Sequence, residues 1–429
     1  MTNKEYKNRV HNIIPAGAHT YSKGDDQFPI NAPVAIKRGK GARIWDIEDN
    51  EFVDWGMGLT SVLLGHAYEP IIEVIKKELE NGVNFIRPSY IELEVAELLV
   101  NQIPSAEMVK FAKNGSDATT AAIKLARAYT KREIVLRCED NPFFSVHDWF
   151  IGDTPVDNGV LSCVKEYTKR FKYNDIDSLK EQISKYKNKI ACLIMEVVST
   201  TEPKDGYLQA VRDICTKEGI VLIFDEVVSG FRFHPKGAQY LYGVTPDIST
   251  FGKAMANGFS ISAIVGKKEI LELGGIKHDK ERVFLLSTTY GGETHHLRAA
   301  QKSIEILNSN DYEVTKHIWK VGKTIKNAFN KISTDLGLID KAKIEGVDCR
   351  PYFYFENNKL RTLFLQEMVK HGVLLQSINP SYSHRDSEIS QTIEGFEKSL
   401  KVLQYAIEMN KVEELLIGNV VKPVFRRYN

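Results

Sequence analysis

Leu222-Ile-Phe-Asp-Glu-Val-Val-Ser-Gly-Phe231 is followed by Phe251-Gly-Lys-Ala254, which sets Lys253 28 positions beyond Asp225. The earlier stretch begins as an unbroken apolar run. Such a run, bounded by turn signals, reads as a strand covered on both faces. It ends on two carboxylates, Asp225 and Glu226. Upstream, Ile190–Val198 is a second apolar run, and Leu208, Val211, Ile214 and Cys215 between the two fall on one helical face. Gly219 stands where a helix C-cap is expected. Strand, helix and strand in this order make a parallel crossover. Ligands of open α/β sheets bind beyond the carboxyl ends of the strands, so the crossover delivers an acid to the functional edge.

The same alternation extends outward. Ala118, Ala121, Ala122, Leu125, Ala126 and Tyr129 recur at helical spacing before a short strand, Ile134–Leu136, and small alanines let a helix approach a sheet closely. Residues 311–329 and 390–410 read as long amphipathic helices, with Gly372-Val-Leu-Leu-Gln376 as a strand between helices. The turn signals Pro15-Ala-Gly and Arg38-Gly-Lys-Gly, with Asp46–Asp54, predict a small antiparallel meander. The expected organisation is an N-terminal segment (1–60), a large domain (61–310) and a C-terminal small domain (311–429), with no repeat and no low-complexity linker.

Bulk properties exclude several classes. The 57 basic and 56 acidic residues leave a formal net charge of +1, which argues against nucleic acid or an anionic membrane as a main partner. No apolar run approaches the roughly 20 residues that span a bilayer, and the opening Met1–Lys7 is too polar for a secretory leader. A cytoplasmic location is expected. Five scattered cysteines without a C-x-x-C pair predict reduced structural thiols, with no disulfide framework or zinc knuckle. His295-His296 is a weak metal pair, because adjacent helical residues face apart and no third ligand is evident; no metal is expected.

Taken singly, the strand-end Asp-Glu pair reads as capping or solvated, and Lys253 as a surface lysine. Together, in order, they fit one chemistry. A lysine amine condenses with the aldehyde of pyridoxal 5′-phosphate (PLP), while a carboxylate keeps the pyridine nitrogen protonated. The small residues Gly252, Ala254, Ala256 and Gly258 around the lysine let a planar ligand approach the backbone.

From about Arg9 to residue 410 the chain resembles the class III aminotransferases, in the branch that contains glutamate-1-semialdehyde 2,1-aminomutase. The co-linear motifs are Ile14-Pro-Ala-Gly17, Gly39-Lys-Gly-Ala-Arg-Ile-Trp-Asp46, Leu64-Gly-His66, Asn114-Gly-Ser-Asp-Ala118, Phe224-Asp-Glu-Val227, Pro246-Asp247, Phe251-Gly-Lys-Ala254 and Thr289-Tyr-Gly-Gly292. The resemblance implies an α/β fold of the PLP-dependent transferase type I. Its large domain carries a mostly parallel seven-stranded sheet, and its smaller α+β domain comes from the N- and C-terminal segments. It also implies a homodimer with shared active sites.

Residue roles follow from the resemblance. Lys253 matches the Schiff-base lysine that also shuttles the proton, and Asp225 the pyridinium partner; these are the catalytic pair. Gly115 and Ser116 match the phosphate grip at a helix start, with Ser116 as a plain N-cap equally compatible. Val227 matches the residue under the ring and Thr289 a threonine reaching the neighbouring subunit's PLP phosphate. Glu196 matches a glutamate near the cofactor, or is a surface acid at a strand end.

Two stretches depart from the family. Phe143-Phe-Ser145 stands where the family has Tyr-His-Gly, leaving Phe143 to stack on the ring. The segment Ala18–Gly24 offers Lys23 where the aminomutase has a carboxylate-binding arginine, and lysine is the poorer bidentate partner. The segment 143–149, Glu293 and the tail Lys422–Asn429 are similar to a sub-branch associated with surface polysaccharide biosynthesis. The implied activity is transfer of an amino group from an amino acid to a small keto or aldehyde acceptor, with an aminomutase or racemase as the alternative. No winged-helix segment precedes the motifs, which disfavours a PLP-binding regulator without turnover. His384 either lines the substrate mouth or lies on the surface.

Overall fold

The computed structural model describes residues 1–198 and 201–428. The chain divides into two compact units, one of residues 1–68 with 316–429 and the other of residues 69–315.

In the first unit a short helix, Asn3–Val10, precedes the antiparallel meander β1 (Ile36–Lys40), β2 (Arg43–Asp46) and β3 (Glu51–Asp54). Ile44 lies opposite Phe52, and both are buried in a small core with Ala32 and Val369.

In the second unit the sheet strands are β4 (Met108–Ala112), β5 (Ile134–Cys138), β6 (Thr168–Phe171), β7 (Ile190–Met195), β8 (Val221–Asp225), β9 (Ile248–Phe251) and β10 (Ser262–Gly266). They form the implied seven-stranded sheet in the order β4-β10-β9-β8-β7-β5-β6. β10 runs antiparallel to both neighbours, and the other pairings are parallel. Every residue of β5, β7, β8, β9 and β10 is buried, and in β7 and in Val221–Phe224 of β8 this shows as a continuous apolar run. The helix Gly115–Thr130 turns Ala118, Ala121, Ala122 and Ala126 into the interior and packs on β7, β9 and β10. The crossover helix Tyr207–Glu218 ends as expected at Gly219. That residue holds φ at 61° and donates its N–H to Cys215 and Thr216, a left-handed cap that suits glycine.

The chain then completes the first unit. β11 (Ala342–Glu345) and β12 (Tyr352–Phe355) pair antiparallel, and β13 (Val373–Leu374) joins the meander parallel to β3. The two long helices are Glu313–Asp335 and Asp386–Glu408. Phe329 packs edge-on against Phe364 and Phe396, with ring centroids 5.5 and 5.1 Å apart. Full burial of each such ring contributes roughly 1.5–3 kcal/mol. His384 is neither at a substrate mouth nor on the surface. It is fully buried and stacks on Trp55 at 4.0 Å, with Nε2 3.1 Å from the Asp54 carbonyl. Among the described residues no helix is long and apolar enough to cross a membrane.

Candidate active site

β8 stops at Asp225 in the middle of the sheet, where the strand alternation separates the two carboxylates. Glu226 turns into the protein and is consumed there. Its Oε2 accepts from the Ala238 N–H at 2.6 Å and the Ser229 hydroxyl at 2.9 Å, and its Oε1 from the Gln239 backbone and side-chain amides, both at 3.0 Å. Asp225 is 4% exposed, and its Oδ1 accepts from the Val227 N–H at 3.0 Å and the Thr250 hydroxyl at 3.1 Å. Both bonds fall on one oxygen, which leaves Oδ2 to accept from a ligand.

Burial, reinforced by the neighbouring Glu196 carboxylate, pushes the Asp225 carboxyl up to about 7, against the pull of those two donors and of Lys253. A pH prediction follows. The folded, cofactor-free protein binds this proton up to about pH 7, whereas an unfolded chain releases it near 4. Native protein therefore holds the extra proton between those values, and stability contributed by Asp225 is lost as pH rises through the window. The expected slope is up to about 1.4 kcal/mol per pH unit, measured by urea melts of the apoprotein, and Asp225→Asn should flatten it.

Lys253 leaves β9 through Gly252 and begins the short turn Lys253–Ala256 with φ at 45°. A left-handed lysine is uncommon and costs on the order of 1–2 kcal/mol, the kind of strain that gathers at functional sites. The side chain is half-buried and close enough to Asp225 for its charge to act on that carboxyl.

The helix Gly115–Thr130 begins beside them. Its N-cap is Asn114, not Ser116: Asn114 Oδ1 accepts from the Asp117 N–H at 3.1 Å, and Asp117 closes the capping box. Gly115 and Ser116 are thus first-turn residues whose amides lack intrahelical partners. A Cβ on Gly115 would lie 2.9 Å from Val227 Cγ1, so only glycine allows this approach of helix start to strand end. Gly115→Ala is expected to cost about 1–3 kcal/mol by overpacking and to weaken cofactor retention, checked by apoprotein melts and a PLP titration.

Glu196 follows β7 directly and is buried. Its N–H donates to Asn141 Oδ1 at 3.0 Å. Ser116 Oγ accepts from the Val146 N–H at 3.0 Å, and Thr119 Oγ1 donates to the Phe144 carbonyl at 2.9 Å, so the segment 143–149 folds over the helix start. Phe144 is 2% exposed and packs with Trp149 and Phe150, whereas Phe143 is 42% exposed. Of the two rings, only Phe143 has a face to offer a ligand.

Thr289 stands apart. It lines a cavity of about 680 Å³ with Asn84–Ser89 and Lys110, which includes none of Asp225, Lys253 and Glu196, and its carbonyl accepts from Asn84 at 2.9 Å. The rings of His295 and His296, expected to face apart, have centroids 4.0 Å apart, and Glu293 brings a third ligand atom within 4.8 Å of theirs. The Lys113 ammonium, however, already bonds Glu293 and His296.

Thr250 and Asn141 are the members that sequence reasoning missed. Thr250 enters because β9 sets it in register with Asp225, and pairing register leaves no mark in a single strand. Asn141 lies two residues before Phe143, but its partner is a distant strand end.

The ensemble fits a phosphorylated pyridine aldehyde: a lysine amine for the aldehyde, a buried carboxyl with one uncommitted oxygen for a ring N–H, and helix-start amides for an anion. Residues 21–400 match the family described as Aminotransferase class-III. The chain is 32% identical over 368 residues to the glutamate-1-semialdehyde 2,1-aminomutase of Methanosphaera stadtmanae, covering 83% of this chain and 84% of that protein. It is 31% identical over 404 residues to the 3-aminobutyryl-CoA aminotransferase of Cloacimonas acidaminovorans, covering 90% and 94%. Its fold is similar to that of the PLP internal aldimine form of Sphingopyxis sp. MTA144 FumI protein, with a TM-score of 0.87 at 22% identity over 95% of this chain and 97% of that one.

Proposed function

The chain belongs to the class-III aminotransferases, and from that premise we propose that it is a PLP-dependent enzyme moving an amino group from an amino acid donor to a small keto or aldehyde acceptor. The observation that carries this reading is Asp225: a buried carboxyl at the end of β8, with Oδ2 uncommitted and the charge of Lys253 acting on it.

When bound, PLP supplies an electron-withdrawing ring. Lys253 holds its aldehyde carbon through the side-chain amine. When not bonded to the cofactor, the Lys253 amine would be the base for the proton on the donor's Cα. Asp225, ionised, would accept from the ring N–H through its uncommitted Oδ2 and so keep the ring nitrogen protonated. Gly115 and Ser116 turn amides and the helix dipole to the phosphate. Val227 and Phe143 offer apolar surface to the ring, and Glu196 stands near enough for its charge to act on Asp225.

Thr289 serves the phosphate of a second copy's site in this reading, making the working unit a homodimer with shared active sites. The exposure of Phe85 and Ile86, which line the same cavity as Thr289, and of Tyr290 beside it supports this. The acceptor is of the kind used in surface polysaccharide or amino-sugar precursor synthesis, on the resemblance of residues 143–149 and the tail. The reading includes a cytoplasmic location and small-molecule partners, with no nucleic acid, membrane or metal.

An aminomutase is the second reading, favoured by the name of the Methanosphaera relative and opposed by the exposed Lys23 in place of an arginine. One experiment separates them. Purified, PLP-loaded protein is mixed with candidate amino acids and the cofactor spectrum is followed. Accumulation of pyridoxamine phosphate that reverts only when a keto or aldehyde compound is added supports transamination. Steady substrate conversion with no added acceptor assigns an isomerase instead.

A further inference from the structure

Lys113 leaves the end of β4 one residue before the Asn114 cap, immediately upstream of Gly115 and Ser116. Its ammonium bonds the Glu293 carboxylate and reaches His296 Nδ1 at 2.8 Å. Glu293 and His296 stand 3.2 Å apart, and their side chains and that of Lys113 are all at most 28% exposed. Two acceptors that close together are tolerable because one cation sits on both. Burial, with His295 and Lys113, pushes the His296 imidazole down to about 4, so at neutral pH it is an acceptor.

The three residues come from separate parts of the site. Lys113 fixes the start of the helix Gly115–Thr130, and its carbonyl and that of Asn114 are held by the Ser260 and Ser262 hydroxyls at 2.9 and 2.7 Å. Glu293 ends the loop that carries Thr289. His296 lies on the helix Thr294–Asn308, which packs on the turn Lys253–Ala256, and its ring is 5.9 Å from that of Phe259 just beyond that turn.

We propose that Lys113 is a positioning residue for the cofactor site, its ammonium joining the phosphate-facing helix start, the Thr289 loop and the helix behind Lys253 through Glu293 and His296. The inference rests on the PLP reading given above. Lys113 touches no reacting atom in it; it acts through the segments it joins.

The equilibrium dissociation constant for PLP is measured by absorbance for the full-length protein and its K113M, K113R and E293Q variants. Histidine NMR of the cofactor-free proteins follows the titration of His296. The junction predicts at least tenfold weaker PLP binding in K113M and in E293Q, partial recovery in K113R, and a rise in the His296 midpoint in K113M. A simple attraction between Lys113 and the phosphate predicts the opposite for E293Q, which would remove a negative charge and tighten binding. K113M within twofold of wild type, tighter binding in E293Q, or an unmoved His296 midpoint overturns the proposal. If K113M does not fold, E293Q and K113R still decide it. Should wild type show no lysine-bound cofactor absorbance, the PLP reading fails instead, while the His296 titration still tests the junction.

Discussion

Replacing Lys253 with alanine is expected to abolish the absorbance of lysine-bound PLP and to lower turnover by at least about 10⁴-fold. A positioned base alone contributes about 10²–10⁴, and in the proposed mechanism the residue is also the covalent anchor. Lys253→Arg should fail nearly as badly, because a guanidinium keeps the charge without a usable nucleophile or base. The backbone gives an independent control. With φ at 45°, alanine inherits the strain of the left-handed turn, whereas glycine relieves it. Cofactor-free Lys253→Gly should therefore be more stable than Lys253→Ala by about 1 kcal/mol, although both are inactive. An unchanged lysine-type absorbance in Lys253→Ala would refute the assignment.

Asp225→Ala is the second large effect. In the proposed mechanism this removes the partner of the ring nitrogen, and the expected loss is about 3–5 kcal/mol of transition-state stabilisation, roughly 10²–10⁴ in kcat/KM. Stability should move the other way. The ionised carboxylate is costly in its buried position, so cofactor-free Asp225→Asn should unfold at higher urea than wild type at pH 8 while losing activity. Gain in one measurement and loss in the other marks a group kept for chemistry. Near wild-type kcat/KM in Asp225→Ala would remove it from the mechanism.

The features legible in the sequence are those written in a single segment. The runs 190–195 and 221–225 are apolar throughout because both faces of their strands are covered. The alanine face of the helix Gly115–Thr130 and the glycine after the helix Tyr207–Glu218 were equally readable. β4 and β6 are short and partly exposed, so neither run length nor alternation marks them. What sequence reasoning could not resolve depends on partners. Asp225 and Glu226 are adjacent and chemically alike, and only the positions of Ala238, Gln239 and Ser229 show that Glu226 is spent on structure. Asn114 and Ser116 are both good caps, and the choice turns on which oxygen meets the Asp117 amide. His384 reads as a polar residue in a polar stretch, yet Trp55, far earlier in the chain, gives it a buried seat.

The pairing of β3 with β13 has a consequence for how the protein is made. Val53 meets Val373, so β3 lacks this neighbour until about 320 further residues have been translated. At roughly 5–20 residues per second, the nascent meander waits on the order of tens of seconds with an unpaired edge, while residues 69–315 are already complete enough to fold. Translation speed and chaperone access over that interval, more than the stability of the finished molecule, should govern how much active protein a cell recovers.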